Sequence, residues 1–100
     1  MTPQKIRLPR QKITKLCRRH HIKKLSLFGS ILTEKFNNNS DIDVLVEFKP
    51  HKTPGLLSIT AIEEELKNIL GRNIDLRTPK ELSKYFRDDV LNNAKVTYAH

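Results

Sequence analysis

The chain predicts an α/β domain, a mixed sheet of three to four strands flanked by about four helices, and three observations carry that expectation. Apolar runs rich in β-branched residues alternate with stretches of helical period. The turn chemistry falls where such an alternation needs it, with Gly71 closing one helical stretch and Thr78-Pro79 opening another. At 100 residues there is material for one core and no second domain. A single domain over residues 1–100 is therefore expected, with 1–8 as a loosely ordered lead-in.

The elements follow in order. After Pro9, residues 10–21 read as a basic helix with Ile13, Leu16 and Cys17 facing inward, Cys17 as a small buried hydrophobe. Residues 25–28 form a short strand, and those after Ser30 start a short helix near 30–35. Asn37, Asn38, Asn39 and Ser40 make a polar loop. The run IDVLVEF, Ile42 to Phe48, is the most apolar stretch of the chain and reads as a buried strand. Residues 49–55 hold two prolines and read as a loop. Ile59, Ile62, Leu66, Ile69 and Leu70 then mark a helix that stops at Gly71, and 73–77 is a short strand. Thr78-Pro79-Lys80-Glu81 has capping-box spacing with proline at the first helical position, which predicts a helix over 79–94 turning Leu82, Phe86, Val90 and Leu91 inward. Residues 96–98 extend one sheet edge.

Two aspartates at the mouth of a buried strand need a reason to be there. Strand side chains alternate faces, so Asp41 and Asp43 project to the same side. Held together beside an apolar strand, two such carboxylates repel unless a cation neutralises them. Hard oxygen ligands suit Mg²⁺, which takes one or two protein carboxylates and completes its shell with water and phosphate oxygens. Ten residues earlier, Gly29-Ser30 sits on a strand-to-helix turn. Glycine lets a ligand approach the backbone, the helix start offers N–H donors to an anion, and Ser30 adds a hydroxyl. Asp75, near the start of another strand, supplies the third carboxylate that a two-metal displacement at phosphorus uses to bind metal or take the attacking proton. The bland alternatives are an Asx-turn for Asp41 and Asp43 and a local ion pair for Asp75; the Asx-turn leaves the Gly-Ser spacing unexplained. Ser40 reads equally as a turn residue or a ligand contact, and Arg77 as a surface residue at a strand end.

The stretch LFGSILTEKFNNNSDIDVLVEF, followed by NIDLRT, resembles the minimal nucleotidyltransferases of the DNA polymerase β superfamily, marked by Gly-Ser, ten residues, then Asp-x-Asp. In particular it is similar to the MNT antitoxins encoded beside HEPN toxins, over roughly residues 9–98. The resemblance implies transfer of AMP from ATP to a tyrosine of a partner HEPN ribonuclease, with release of pyrophosphate and silencing of the partner. It implies two Mg²⁺ ions on Asp41, Asp43 and Asp75, and nucleotide phosphates on Gly29 and Ser30; the ligand-contact reading of Ser40 would add it to the nucleotide site. This chain departs from many relatives in carrying Leu32 and Glu34 where they place a small residue and a glycine.

Composition sets the rival readings. The formal net charge is +8, and nine Lys and Arg residues lie between Lys5 and Lys24. Such a stripe is a solvated face, a means of steering ATP, a dock for an acidic partner, or a nucleic-acid contact. Sequence-specific DNA binding finds no helix-turn-helix spacing, no zinc ligands and few aromatics. With one cysteine, no hydrophobic leader and no long apolar run, a cytoplasmic protein without a membrane span is expected. Against the enzyme stands a different class, a catalytically weak antitoxin that neutralises its partner by binding alone.

Overall fold

The computed structural model describes residues 8–33, 40–52, 54–85 and 87–99, with the backbone alone for Ser30. Helix α1 (Arg10–Arg19) starts at Pro9 and ends earlier than the periodicity suggests. His21 takes φ +59°, a left-handed conformation that histidine tolerates better than most residues, and this turns the chain into β1 (Ile22–Phe28). β1 is three residues longer at its start than expected, because Ile22 is fully buried while its neighbours are basic. β2 (Ile42–Phe48) matches the apolar run, and α2 (Leu56–Leu70) ends on Gly71 at φ +69°, whose N–H bonds the Lys67 carbonyl at 2.8 Å. β3 (Ile74–Arg77) follows, and β4 (Lys95–Ala99) forms the far edge.

The helix expected over 79–94 is two pieces. Pro79–Glu81 is one 3-10 turn, and α3 covers only Arg87–Asn93. The capping box is present, since the Thr78 N–H and Oγ1 both donate to Glu81 Oε1, but it caps a single turn. Leu82 then leaves the helical region with ψ +141° and buries its side chain, and Arg87 ties the corner by donating to the Leu82 carbonyl. Burying one leucine outweighs continuing a helix whose propensity alone is a weak constraint. Phe86 lies outside the described residues. The short helix expected near 30–35 is likewise a 3-10 turn, Gly29–Leu32, and Glu34 and the asparagine loop also fall outside the described residues.

The sheet runs β3-β2-β1-β4, with β2 and β3 parallel and both other pairs antiparallel. α2 provides the crossover that a parallel pair requires. Ile42, Val44 and Val46 of β2 and Leu25 and Leu27 of β1 join Ile13, Leu16 and Cys17 of α1 and Ile62 and Leu66 of α2 in one core. Alternation sends Asp43, Leu45 and Glu47 to the opposite face, with Ser26 and Phe28 of β1 beside them in register. Burial pushes the Cys17 thiol up to about 12, so it packs as an inert hydrophobe. Leu16 has no exposed surface and belongs to this core. Leu16→Ala is expected to lower the stability by about 2–5 kcal/mol, read as a lower urea midpoint at unchanged slope.

Candidate active site

β1 and β2 bring the first two parts of the motif together. Phe28 pairs with Asp43 across the ladder, so the turn after Phe28 stands over the Asp43 carboxylate. Gly29 has φ +75°, and a Cβ placed on it would lie 2.1 Å from Asp43 Oδ2 and 3.2 Å from Asp43 Cβ. Only glycine combines that conformation with that approach. The chain then makes a 3-10 turn, whose first N–H groups are not used within it. The turn thus offers an anion a few backbone donors in place of a full helix start. Leu32 is half-buried against the core.

β3 adds the third carboxylate. Asp43 and Asp75 are register partners in the parallel pair, so their side chains stand side by side on one face, about one strand spacing of 4.8 Å apart at the backbone. Asp75 also accepts from Arg77 Nε at 3.0 Å, and Arg77 reaches on to Glu81 at 3.8 Å. All three are substantially exposed, and ion pairs of that kind contribute about 0–1 kcal/mol.

The mouth of β2 is clamped to the turn before β3. Arg72 donates to the Ser40 carbonyl at 2.7 Å, and the Ile42 N–H bonds the Asn73 carbonyl at 2.9 Å. Asp41 is exposed and lies one residue outside β2, at the mouth that this clamp fastens. For Ser40 the structure gives a placement at the mouth, half-buried, with its carbonyl engaged; the Ser30 side chain lies outside what is described.

One further group feels the charge of Asp75, one cleft opens beside Gly29, and neither was read from the sequence. Glu63 of α2 is shifted up from the ordinary carboxylate range, first by burial and then by the charges of Asp75, Glu64 and Glu81, with Arg77 partly relieving it. Three consecutive glutamates on a helix look like a solvated face, so no local signal marks Glu63. Beside Gly29 opens a cleft of about 490 Å³, walled by Phe28, Gly29, Leu32 and Thr33 on one side and by Asp89, Val90, Asn93 and Ala94 on the other. Its volume is in the range of small-ligand sites. The second wall depends on where α3 docks, which periodicity does not specify.

Among the described residues no group of three His, Cys, Asp or Glu side chains is gathered closely enough to hold a metal by protein ligands alone. Mg²⁺ does not ask for one, since one or two carboxylates plus water and substrate phosphates suffice. Asp43 and Asp75 in register present a pair of carboxylates of that type.

The nucleotidyltransferase domain family matches residues 9–97. A protein of Methanocaldococcus jannaschii with the provisional name protein adenylyltransferase MJ0435 is 34% identical over 85 residues, covering 85% of this chain and 89% of its own. Protein adenylyltransferase MntA of Thermococcus cleftensis is 32% identical over 73 residues, 73% of this chain and 72% of that protein. Among solved structures, a toxin-antitoxin crystal structure with AMP-PNP superposes with a TM-score of 0.72 at 25% identity, over 93% of this chain and 75% of the other. A structure described as a minimal nucleotidyltransferase gives 0.70 at 30% identity, covering 85% of each. With the Gly-Ser turn over Asp43 and the Asp43 and Asp75 ladder already in place, the chain belongs to the nucleotidyltransferase domain family and is a nucleotidyltransferase of the minimal kind.

Proposed function

We propose that this single-domain protein transfers the adenylyl group of ATP to a tyrosine hydroxyl of a HEPN-type partner toxin and so silences it in the cytoplasm. The observation that carries the reading is the packing of Gly29 against Asp43 with Asp75 in register beside it, which stands a turn with free-facing backbone over a pair of carboxylates and supports phosphate binding there. The adenylyltransferase names of relatives at 32–34% identity, and a toxin-antitoxin neighbour holding an ATP analogue, support the choice of donor and of partner.

Each residue has a role in that scheme. Gly29 and Ser30, with Ser40 at the mouth, would receive the triphosphate, while Asp41, Asp43 and Asp75 would hold two Mg²⁺ ions. Bound Mg²⁺ supplies neutralisation of the charge that builds on the phosphates as pyrophosphate departs. The tyrosine Oη attacks the α-phosphorus, its proton passes to a carboxylate oxygen of Asp75, and the bond from the α-phosphorus to the bridging oxygen breaks. The cleft beside Gly29 receives the nucleoside, with Phe28, Leu32 and Val90 as apolar walls and Asp89 and Asn93 as polar groups.

The rival, neutralisation by binding alone, is favoured by one observation, the engagement of Asp75 by Arg77. Intact mass of a HEPN partner after incubation with the chain, ATP and Mg²⁺ separates the two. A gain of one or more AMP units, absent with Asp41→Asn/Asp43→Asn, is the expected result. An unmodified partner that is nonetheless silenced, equally by wild type and variant, would establish the rival.

A further inference from the structure

The net charge of this protein comes from one third of its sequence. The first acidic residue is Glu34, and nine Lys and Arg precede it, leaving ten Lys and Arg against eleven Asp and Glu in the rest. The fold concentrates this asymmetry. Helix α1 buries Ile13, Leu16 and Cys17 against the sheet and turns Arg10, Lys12, Lys15, Arg18 and Arg19 outward, all exposed. Because α1 packs on the core face of the sheet, these cations lie on the opposite side from Asp43 and Asp75. Charge placed there does not serve the phosphates of a nucleotide bound over the carboxylates.

One row is organised further. Lys12, Lys15 and Arg19 line a groove of about 310 Å³ between α1 and α2, completed by Glu65, Asn68 and Ile69. Steps of three and four residues space the row by about 4.5 and 6 Å along the helix, so its cations face the groove on successive turns. Glu65 is the one acidic lining residue, and Arg19 and His20 both contact it, which braces the end of α1 against α2. Lys12 and Lys15 point to the same groove from the preceding turns.

The chemistry of the face selects its partner. The centre of a protein interface is ordinarily depleted of charge and rich in aromatic residues, yet among the described residues the exposed large hydrophobics are Leu56, Leu57, Tyr85 and Val96, none of them on α1 or β1. Single strands are held largely by stacking on aromatic side chains, and no Phe, Tyr or Trp occurs before Phe28. What remains is a predominantly cationic helix face without stacking groups, in a sequence that has no helix-turn-helix spacing and no zinc ligands to seat a helix for base reading. We infer that the α1 face binds the phosphate backbone of duplex DNA, without sequence preference, through Lys12, Lys15 and their neighbours on α1. This is a second surface, independent of nucleotidyl transfer.

Fluorescence anisotropy of the full chain with a labelled mixed-sequence DNA duplex, titrated across salt concentrations, tests it. Binding is expected with a dissociation constant of about 1–100 μM near physiological salt, weakening linearly on a log–log plot by about 0.9 per phosphate contact. Lys12→Glu/Lys15→Glu is expected to weaken binding at least about tenfold and to flatten the salt slope by about two, with an unchanged circular dichroism spectrum and unchanged adenylyl transfer. A single strand of the same length should bind more weakly than the duplex, and duplexes of different sequence should bind alike. The inference is overturned if wild type and variant bind the duplex with the same affinity and slope, or if the single strand binds more tightly. It is also overturned if wild type ignores the duplex at low salt while the variant loses a protein partner, which would make the face a dock for an acidic protein.

Discussion

Gly29→Ala is expected to reduce adenylyl transfer by at least about a hundredfold while costing the fold only about 1–2 kcal/mol. The two effects have different origins. A φ of +75° is strained for any residue bearing a Cβ, and that strain is a stability term. The added methyl would also fall 2.1 Å from Asp43 Oδ2, so the carboxylate must swing out of the position that faces the turn. Misplacing a reacting or metal-holding group by about 1 Å is sufficient for a hundredfold loss. Gly71 provides the control. It has nearly the same backbone conformation, φ +69°, but a Cβ there meets nothing within 4 Å. Gly71→Ala should therefore lose a similar amount of stability and keep its turnover number. Urea unfolding and transfer of label from α-labelled ATP, run on both variants, separate strain from clash. Equal turnover in the two would mean that the approach of Gly29 to Asp43 has no bearing on the chemistry.

What the sequence made legible follows the range of the interactions involved. β2 was readable residue by residue, because a run of β-branched residues with acidic neighbours has few other structures available to it. Gly71 was readable as a helix stop because a left-handed cap needs a glycine. The pairing of Asp43 with Asp75 follows from alternation once β2 and β3 are neighbours, and the crossover helix between them makes that parallel pairing natural. Failure came where a tertiary contact overrode a local signal. Thr78, Pro79 and Glu81 are a genuine helix start, yet burial of Leu82 ends the helix after one turn. Arg72, Glu63 and the α3 wall of the cleft act across the fold, and nothing within a few residues of each announces its partner. Arg77, which reads as a surface residue, shares Asp75 with the site.

Asp43→Asn is expected to remove at least about a thousandfold of adenylyl transfer, equivalent to about 4 kcal/mol of transition-state stabilisation, with no loss of stability. The neutral amide keeps the size of the side chain and so preserves the packing beneath Gly29. It gives up the charge that a divalent cation requires from a site with so few protein ligands. Stability should move the other way. Asp43 and Asp75 face each other in register, and like charges placed opposite one another in a sheet are destabilising by up to about 1 kcal/mol. Removing one of them relieves that repulsion, leaving the pairing of Asp75 with Arg77 in place. The variant is therefore expected to unfold at an equal or slightly higher urea concentration while turning over far more slowly. A site whose charges served the fold would show the reverse, a lower midpoint with activity tracking it. Retention of more than a tenth of the wild-type transfer rate by Asp43→Asn would remove Asp43 from the chemistry and, with it, the metal-holding role of the Asp43 and Asp75 pair.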